Sequence, residues 1–70
     1  MKFNTSPGFK FAVAFFGLRN DRVCLDVRVE VLARDEAHAK DTAIRVLVGD
    51  EYIGFKSADK MTMTAMRVWA

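Results

Sequence analysis

The clearest pattern in the chain is an alternation of apolar and polar residues across Val23–Ala33. Every second position carries an apolar side chain: Val23, Leu25, Val27, Val29, Val31 and Ala33. The positions between them include the charged residues Asp26, Arg28 and Glu30. A period of two matches the pleat of a β-strand, in which successive side chains point to opposite faces. The pattern therefore predicts a strand with one face in a core and one charged, solvated face.

Two more segments have the composition of strands. Phe9–Leu18 is rich in aromatic and small apolar residues, and the polar tetrapeptide Arg19–Arg22 separates it from the alternating segment. The Asn and Asp of that tetrapeptide accept left-handed backbone angles, which favours a tight hairpin turn. The third strand is predicted over Met61–Trp69, where methionines alternate with threonines.

A helix is predicted between the second and third strands. The segment Asp35–Val48 begins with a good N-cap residue and has a broad apolar arc opposite a polar one. Gly49 fits the left-handed residue that ends many helices. The stretch Gly49–Lys60 is interpreted as a loop, with a short edge strand over Tyr52–Lys56 as the alternative.

The order strand, strand, helix, strand predicts one α+β domain spanning residues 1–70. The domain consists of a three-stranded antiparallel sheet with one helix packed on one face. The third strand runs in the same direction as the second, so we place it beside the first strand. The resulting ββαβ fold has the strand order 2-1-3, in which both neighbouring pairs are antiparallel.

The pairing register of the hairpin has two interpretations, which bury opposite faces of the first strand. A two-residue loop at Asn20–Asp21 places Phe16 opposite Leu25, so the small residues turn inward and an aromatic stripe lies on the charged face. A three-residue loop with a bulge directs the large side chains toward the valines and leaves Ala12 and Ala14 outside. The second interpretation is favoured, because burying three Phe side chains contributes roughly 1.5–3 kcal/mol each.

Charge and composition limit the classes of function. Against 11 Lys and Arg the chain has 9 Asp and Glu, a net charge of +2, and the basic residues are spread along its length rather than concentrated. A lone cysteine, Cys24, excludes an internal disulfide. The N-terminal residues show no signal-peptide pattern, and the apolar run Phe11–Leu18 is too short to span a bilayer. We therefore expect a cytoplasmic protein without a membrane partner.

Candidate catalytic chemistry is sparse. The segment Gly49–Ser57 is a near miss to a phosphate-binding loop, because Phe55 separates the second glycine from Lys56. Cys24 and His38 lie too far apart along the predicted elements to form a dyad, and one Cys and one His are too few for a structural zinc site. We expect no enzyme activity, no cofactor and no metal.

Candidate partner-binding residues fall in three places. Arg67 and Trp69 share a face of the third strand, and these residue types often dominate binding energy at interfaces. The alternative is that Trp69 and the methionines pack under the helix and Arg67 lies at the rim. The charged face of the second strand and an acidic pair beside a tyrosine are the other two places. The full set is Asp26, Arg28, Glu30, Asp50, Glu51, Tyr52, Arg67 and Trp69.

The order of elements and the Ala-x-Asp-Glu-Ala run at Ala33–Ala37, with Lys40 where a further Ala is expected, resemble small bacteriophage-encoded proteins. These include the small phage inhibitors of host RNA polymerase and, in general shape, small anti-CRISPR proteins. The polymerase inhibitors end in an Arg-Val-rich strand, and Met66–Trp69 is similar in place, with Trp69 standing where a second basic residue is expected. The resemblance implies that Arg67 contacts a partner and that such a protein occupies a surface of a host machine without catalysis.

These observations predict a non-enzymatic binding protein, a phage-type inhibitor that blocks a host protein or nucleoprotein complex. One alternative is a nucleic-acid-binding module that uses Lys10, Arg28 and Arg67, whose affinity would fall steeply with salt. Another is a self-associating accessory protein that joins sheets through an exposed edge strand and forms oligomers. The sequence does not predict the oligomeric state.

Overall fold

The computed structural model describes residues 8–68. Its elements along the chain are β1 (Phe9–Arg19), β2 (Arg22–Ala33), α1 (Glu36–Val46), α2 (Gly49–Ser57) and β3 (Lys60–Arg67). The strands form one antiparallel sheet in the order β2-β1-β3. The predicted α+β class and strand order 2-1-3 are confirmed, while a second helix joins the predicted one.

The hairpin between β1 and β2 combines features of both predicted registers. Asn20 and Asp21 have φ angles of 52° and 63°, so the loop has two residues in left-handed conformation. The register then shifts: Leu18 pairs with Val23 but Gly17 pairs with Leu25. The residue between them, Cys24, is the extra residue of a β-bulge.

The bulge decides which face of β1 is buried. It moves the pairing by one residue, so Phe15 lies opposite Val27 and Phe16 opposite Asp26. Phe11, Val13 and Phe15 are accordingly buried, the last two with no exposed surface. The prediction that the large residues face the valines is confirmed, and the predicted three-residue loop is wrong because the extra residue lies within β2.

The core lies between the sheet and α1. Ala39 and Ala43 of α1 and its C-cap Leu47 are spaced four residues apart. They are 0%, 0% and 4% exposed. Their spacing places them on one helix face, and the two small alanines allow a close approach to the sheet. Phe15 completes the core with an edge-to-face contact to Phe55, whose ring centre is 6.0 Å away.

The N-cap of α1 is confirmed at Asp35. Its Oδ1 accepts a hydrogen bond of 2.8 Å from the backbone N–H of His38. Nδ1 of His38 in turn accepts from the backbone N–H of Arg34 at 3.1 Å. The two bonds satisfy backbone donors at the point where the chain leaves β2 and enters the helix.

The stretch predicted as a loop, with an edge strand as its alternative, is instead the helix α2. Gly49 does have the predicted left-handed φ, 60°, but it is the first residue of α2 rather than the residue that ends α1. The apolar residues of α2 form no helical stripe, since Tyr52 and Ile53 remain 44% and 63% exposed. This absence of period is why the pattern did not predict a helix.

Tertiary contact explains why α2 forms. Gly54 is buried against the bulge, and a Cβ atom at this position would overlap the backbone carbonyl of Cys24. The Cys24 thiol donates a 3.5 Å hydrogen bond to the carbonyl of Gly54. The acidic first turn and the basic Lys56 in the last turn also suit the helix dipole. No helix among residues 8–68 is long and apolar enough to cross a membrane.

Replacing Gly54 tests the contact between α2 and the bulge. Gly54→Ala improves intrinsic helix propensity by about 1 kcal/mol, yet we expect a net loss of about 1–3 kcal/mol in the free energy of unfolding from the overlap with Cys24. Urea denaturation measures the difference. Ile53→Ala is the control, because this neighbouring residue of α2 is 63% exposed and its replacement should change the free energy of unfolding by less than about 0.5 kcal/mol. A Gly54→Ala protein as stable as the wild type would contradict the packing.

Replacing Asp35 tests the start of α1. Asp35→Ala removes the acceptor for the His38 N–H, and we expect a loss of about 1 kcal/mol in the free energy of unfolding. Asp41→Ala, an exposed acid inside the same helix, removes the same charge without a cap and should change stability by less than about 0.5 kcal/mol. Equal losses in the two variants would assign the effect to charge rather than to capping.

Candidate protein-docking surface

The sheet has one covered face and one open face. Both helices pack against the side that carries Phe11, Val13 and Phe15. Because side chains alternate along a strand, the even-numbered residues of β1 and their neighbours lie on the other side, where no other element of residues 8–68 packs. We call this side the open sheet face. Its residues are Lys10, Ala12, Ala14, Phe16, Asp26, Arg28, Glu30, Leu32, Thr62, Thr64 and Met66.

Residues of the three strands lie side by side in rows across this face. The Ala12 row is Glu30, Ala12 and Met66; the Ala14 row is Arg28, Ala14 and Thr64; the Phe16 row is Asp26, Phe16 and Thr62. In the first two rows a small central residue is flanked by longer ones. The central strand therefore forms the floor of a trough whose walls come from the edge strands.

The trough is large enough for one aromatic ring. Its volume is about 160 Å³, and it is lined by Ala12, Ala14, Arg28, Thr64 and Met66. An apolar protein cavity of roughly 150 Å³ holds a benzene molecule. Ala12 is only 6% exposed although it belongs to the open sheet face, because the residues around it rise above it. The floor is apolar, while Arg28 and Thr64 supply polar groups at the sides.

Large apolar side chains are exposed around the trough. Phe16 is 42% exposed, Leu32 65% and Met66 66%. These three side chains share one face of the sheet, with polar residues between them. The open sheet face thus combines apolar area with a shaped depression.

Charges of both signs border the same face. Lys10 Nζ and Glu30 Oε1 form an ion pair of 3.4 Å, with each side chain about half exposed. Such a surface pair contributes little to stability. Asp26 and Arg28 are exposed and have no ion-pair partner among residues 8–68. Along the edge strand the charges alternate, so the rim offers complementary groups to a charged partner.

The predicted site residues are divided among separate surfaces. Asp26, Arg28 and Glu30 lie together on the open sheet face. Arg67 lies on the covered side of β3, where its guanidinium carbon is 3.7 Å from the centre of the Phe9 ring. Trp69 lies outside the described residues.

Methionines of β3 also belong to the covered side. Met61 and Met63 are partly buried and pack against the core, as the alternative interpretation of the third strand proposed for them. Arg67 follows them in the same row of side chains, so it does not join Arg28 in one binding surface. The sheet therefore separates the two arginines that the sequence suggested as contact residues.

The acidic pair lies on α2, away from the sheet face. Asp50, Glu51 and Tyr52 occupy the first turn of the helix and are exposed. Lys56 Nζ lies 5.9 Å from the centre of the Tyr52 ring, a cation–π contact within one helix. The nearby exposed Val48 extends this helical corner.

Of the five residues that line the trough, only Arg28 was singled out as a site residue from the sequence. Ala12, Ala14, Thr64 and Met66 carry no charge or reactive group, and only their arrangement across three strands creates the depression. A signal was present in β1, where small residues alternate with large ones. Once the bulge assigns the large residues to the core, the small ones must lie outside.

The two candidate reactive residues have separate partners. The Cys24 thiol donates to Gly54, and the His38 imidazole accepts from Arg34 at the start of α1. Within residues 8–68 no group of three or more His, Cys, Asp and Glu side chains could hold a metal ion. The open sheet face offers contact area, shape and charge, and these are the attributes of a binding surface.

A function for this chain has to be inferred from these surfaces. Of the three, the open sheet face carries the trough. Comparisons of the chain with protein-family models, with curated proteins and with solved structures found no match.

Proposed function

We propose that this chain is a non-enzymatic binding protein that docks its open sheet face on the surface of a protein partner. One observation carries the proposal: no element among residues 8–68 covers this face of the sheet, which has an apolar trough at its centre and charges at its rim. Protein interfaces have the same arrangement of an apolar centre and a polar border. Binding of this kind requires no reacting group.

The trough indicates what the partner presents. A depression with the volume of a phenyl ring fits one large apolar or aromatic side chain of the partner. Arg28 lines the trough, so its guanidinium can lie over an inserted ring and contribute cation–π attraction. Buried aromatic anchors of this type dominate the binding energy of many interfaces.

The charges favour protein over nucleic acid. Of the three basic residues expected to contact phosphate, Lys10 is paired with Glu30, and Arg67 lies on the covered side. Arg28 and Asp26 are neighbours on the same face of β2. A phosphate backbone would meet carboxylates beside each cation, whereas a protein surface can match both signs. The partner is therefore the protein surface of a larger complex, including the protein part of a nucleoprotein complex.

The resemblance to phage-encoded inhibitors indicates what docking would do to the partner, which is to inhibit it. A domain of 70 residues seated on a larger machine excludes other ligands from the surface that it covers. The inhibition is steric, and it operates in the host cytoplasm where such machines work. It depends on the affinity and position of the docked face alone.

Filling the trough tests the proposal. Ala14→Arg places a long side chain in the trough from an exposed position, and we expect at least a tenfold loss of partner capture, equivalent to about 1.4 kcal/mol. Capture from nuclease-treated bacterial lysate is quantified by mass spectrometry. The matched control is Ala37→Arg, the same change at an exposed position of α1, which should capture the partner as the wild type does.

Two results would count against this function. Capture that disappears after nuclease treatment would assign the binding to nucleic acid. Equal capture by the Ala14→Arg and Ala37→Arg proteins would place the docking surface elsewhere, with the helical corner at Tyr52 as the next surface to test. Circular dichroism of the two variants will show whether each retains the wild-type fold.

A further inference from the structure

We propose that a second copy of this chain covers the open sheet face when no partner is bound, forming a two-fold symmetric dimer of stacked sheets. The inference rests on the proposed function in one respect, the assignment of this face as a docking surface. It adds a regulatory consequence, because the dimer hides the surface that the partner must reach. A second copy is the expected occupant because the charges and the shape of the open sheet face match those of an identical face turned over it.

The charges are self-complementary about one axis. Consider two sheets packed face to face with their strands antiparallel across the interface, related by a two-fold axis that lies between the sheets and crosses the strands. If the axis passes between the Phe16 row and the Ala14 row, β2 lies over β2 of the second copy. Asp26 then meets Arg28 of the second copy, and Arg28 meets its Asp26. Two residues that have no ion-pair partner among residues 8–68 thereby gain one each.

The same axis makes the shapes complementary. It places Phe16, which is 42% exposed, over Ala14 of the second copy, where the trough has room for one ring. Symmetry repeats this contact, so each copy fills the trough of the other. On the third strand the axis brings the hydroxyls of Thr62 and Thr64 together. An interface between identical patches requires this reciprocity.

A shifted axis loses the match. An axis shifted by one row passes between the Ala14 row and the Ala12 row. It still pairs Arg28 of one copy with Glu30 of the other. It now places Ala14 over Ala12, which leaves both troughs empty, and it places Phe16 over Lys10. Charge and shape therefore agree on the first position of the axis.

The size of the face predicts a reversible dimer. Three strands about 4.8 Å apart and roughly 30 Å long give about 400 Å² of flat area per copy. The pair buries on the order of 800 Å², which is below the roughly 1,200 Å² of stable interfaces and within the range of weak, transient ones. Such a dimer dissociates as the protein is diluted, and a partner that fills the trough competes with the second copy.

The test uses charge reversal and sedimentation over a concentration series. The wild type should sediment with the 7.9 kDa mass of one chain when dilute and approach twice that mass as concentration rises. Asp26→Arg alone and Arg28→Asp alone should remain monomeric, since each places like charges opposite each other. An equimolar mixture of the two single variants should recover the dimer, because the opposed charges then match again.

Controls separate the interface from general charge effects. The pair Asp41→Arg and Arg45→Asp makes the same reversals on the exposed side of α1, and each variant should dimerise as the wild type does. Ala14→Arg should abolish the dimer by filling the trough. It provides an independent measurement if a charge-reversed strand does not fold by circular dichroism.

The outcomes distinguish this inference from the proposed function. A wild type that stays monomeric up to millimolar concentration overturns the dimer, as does dimerisation of the Asp26→Arg, Arg28→Asp and Ala14→Arg proteins at wild-type strength. A monomer that still captures a partner in an Ala14-dependent way leaves the docking function standing. A dimer that follows the charge pattern, with no captured partner, supports the inference and removes the proposed function.

Discussion

One extra residue in β2 decides which side of the central strand is buried. Because Cys24 is left out of the pairing, the rest of β2 shifts by one residue relative to β1, and every side chain beyond it changes face. Phe11, Val13 and Phe15 enter the core as a result, and Ala12 and Ala14 are left on the outside. Both the packing of the helices and the trough on the open sheet face depend on this single irregularity.

The bulge also organises the end of the sheet where the hairpin turns. Gly54 of α2 rests on the Cys24 carbonyl, an approach that a larger residue would block. The residue after this helix's C-cap, Asp59, donates its N–H to the Leu18 carbonyl at 2.9 Å, and its Oδ2 accepts from the N–H of Asn20 at 3.1 Å. Hairpin turn, bulge and second helix thus stabilise one another through backbone contacts.

The sequence was informative wherever one periodic pattern determined one element. The alternation in β2, the cap at Asp35 and the polar turn predicted most of the fold, because each is a local signal with a local physical cause. A bulge was predicted, but its position at Cys24 and the helix α2 were not predictable in this way. Both depend on the contact between Gly54 and a strand that lies 30 residues earlier in the chain.

The candidate surface shows the same division. The charges Asp26, Arg28 and Glu30 could be placed on one face from their spacing alone. The trough could not, since its floor and its two walls come from three strands and four of its five lining residues carry no charge. Arg67, which the nucleic-acid alternative grouped with Lys10 and Arg28, is not on that face, because the register of β3 with β1 places it on the covered side with Met61 and Met63.

The position of β3 beside β1 has a consequence for the order in which the chain folds. β1 and β2 are joined by two residues, whereas the partners of β1 on β3 are separated from it by 42 residues at Leu18 and Lys60 and by 56 at Phe11 and Arg67. Local pairing is fast, and closure over a long stretch of chain is slow. During synthesis the hairpin of β1 and β2 forms while the other edge of β1 is still unpaired. The wall of Thr64 and Met66 is therefore the last to be added, and the trough is complete only after β3 has paired with β1.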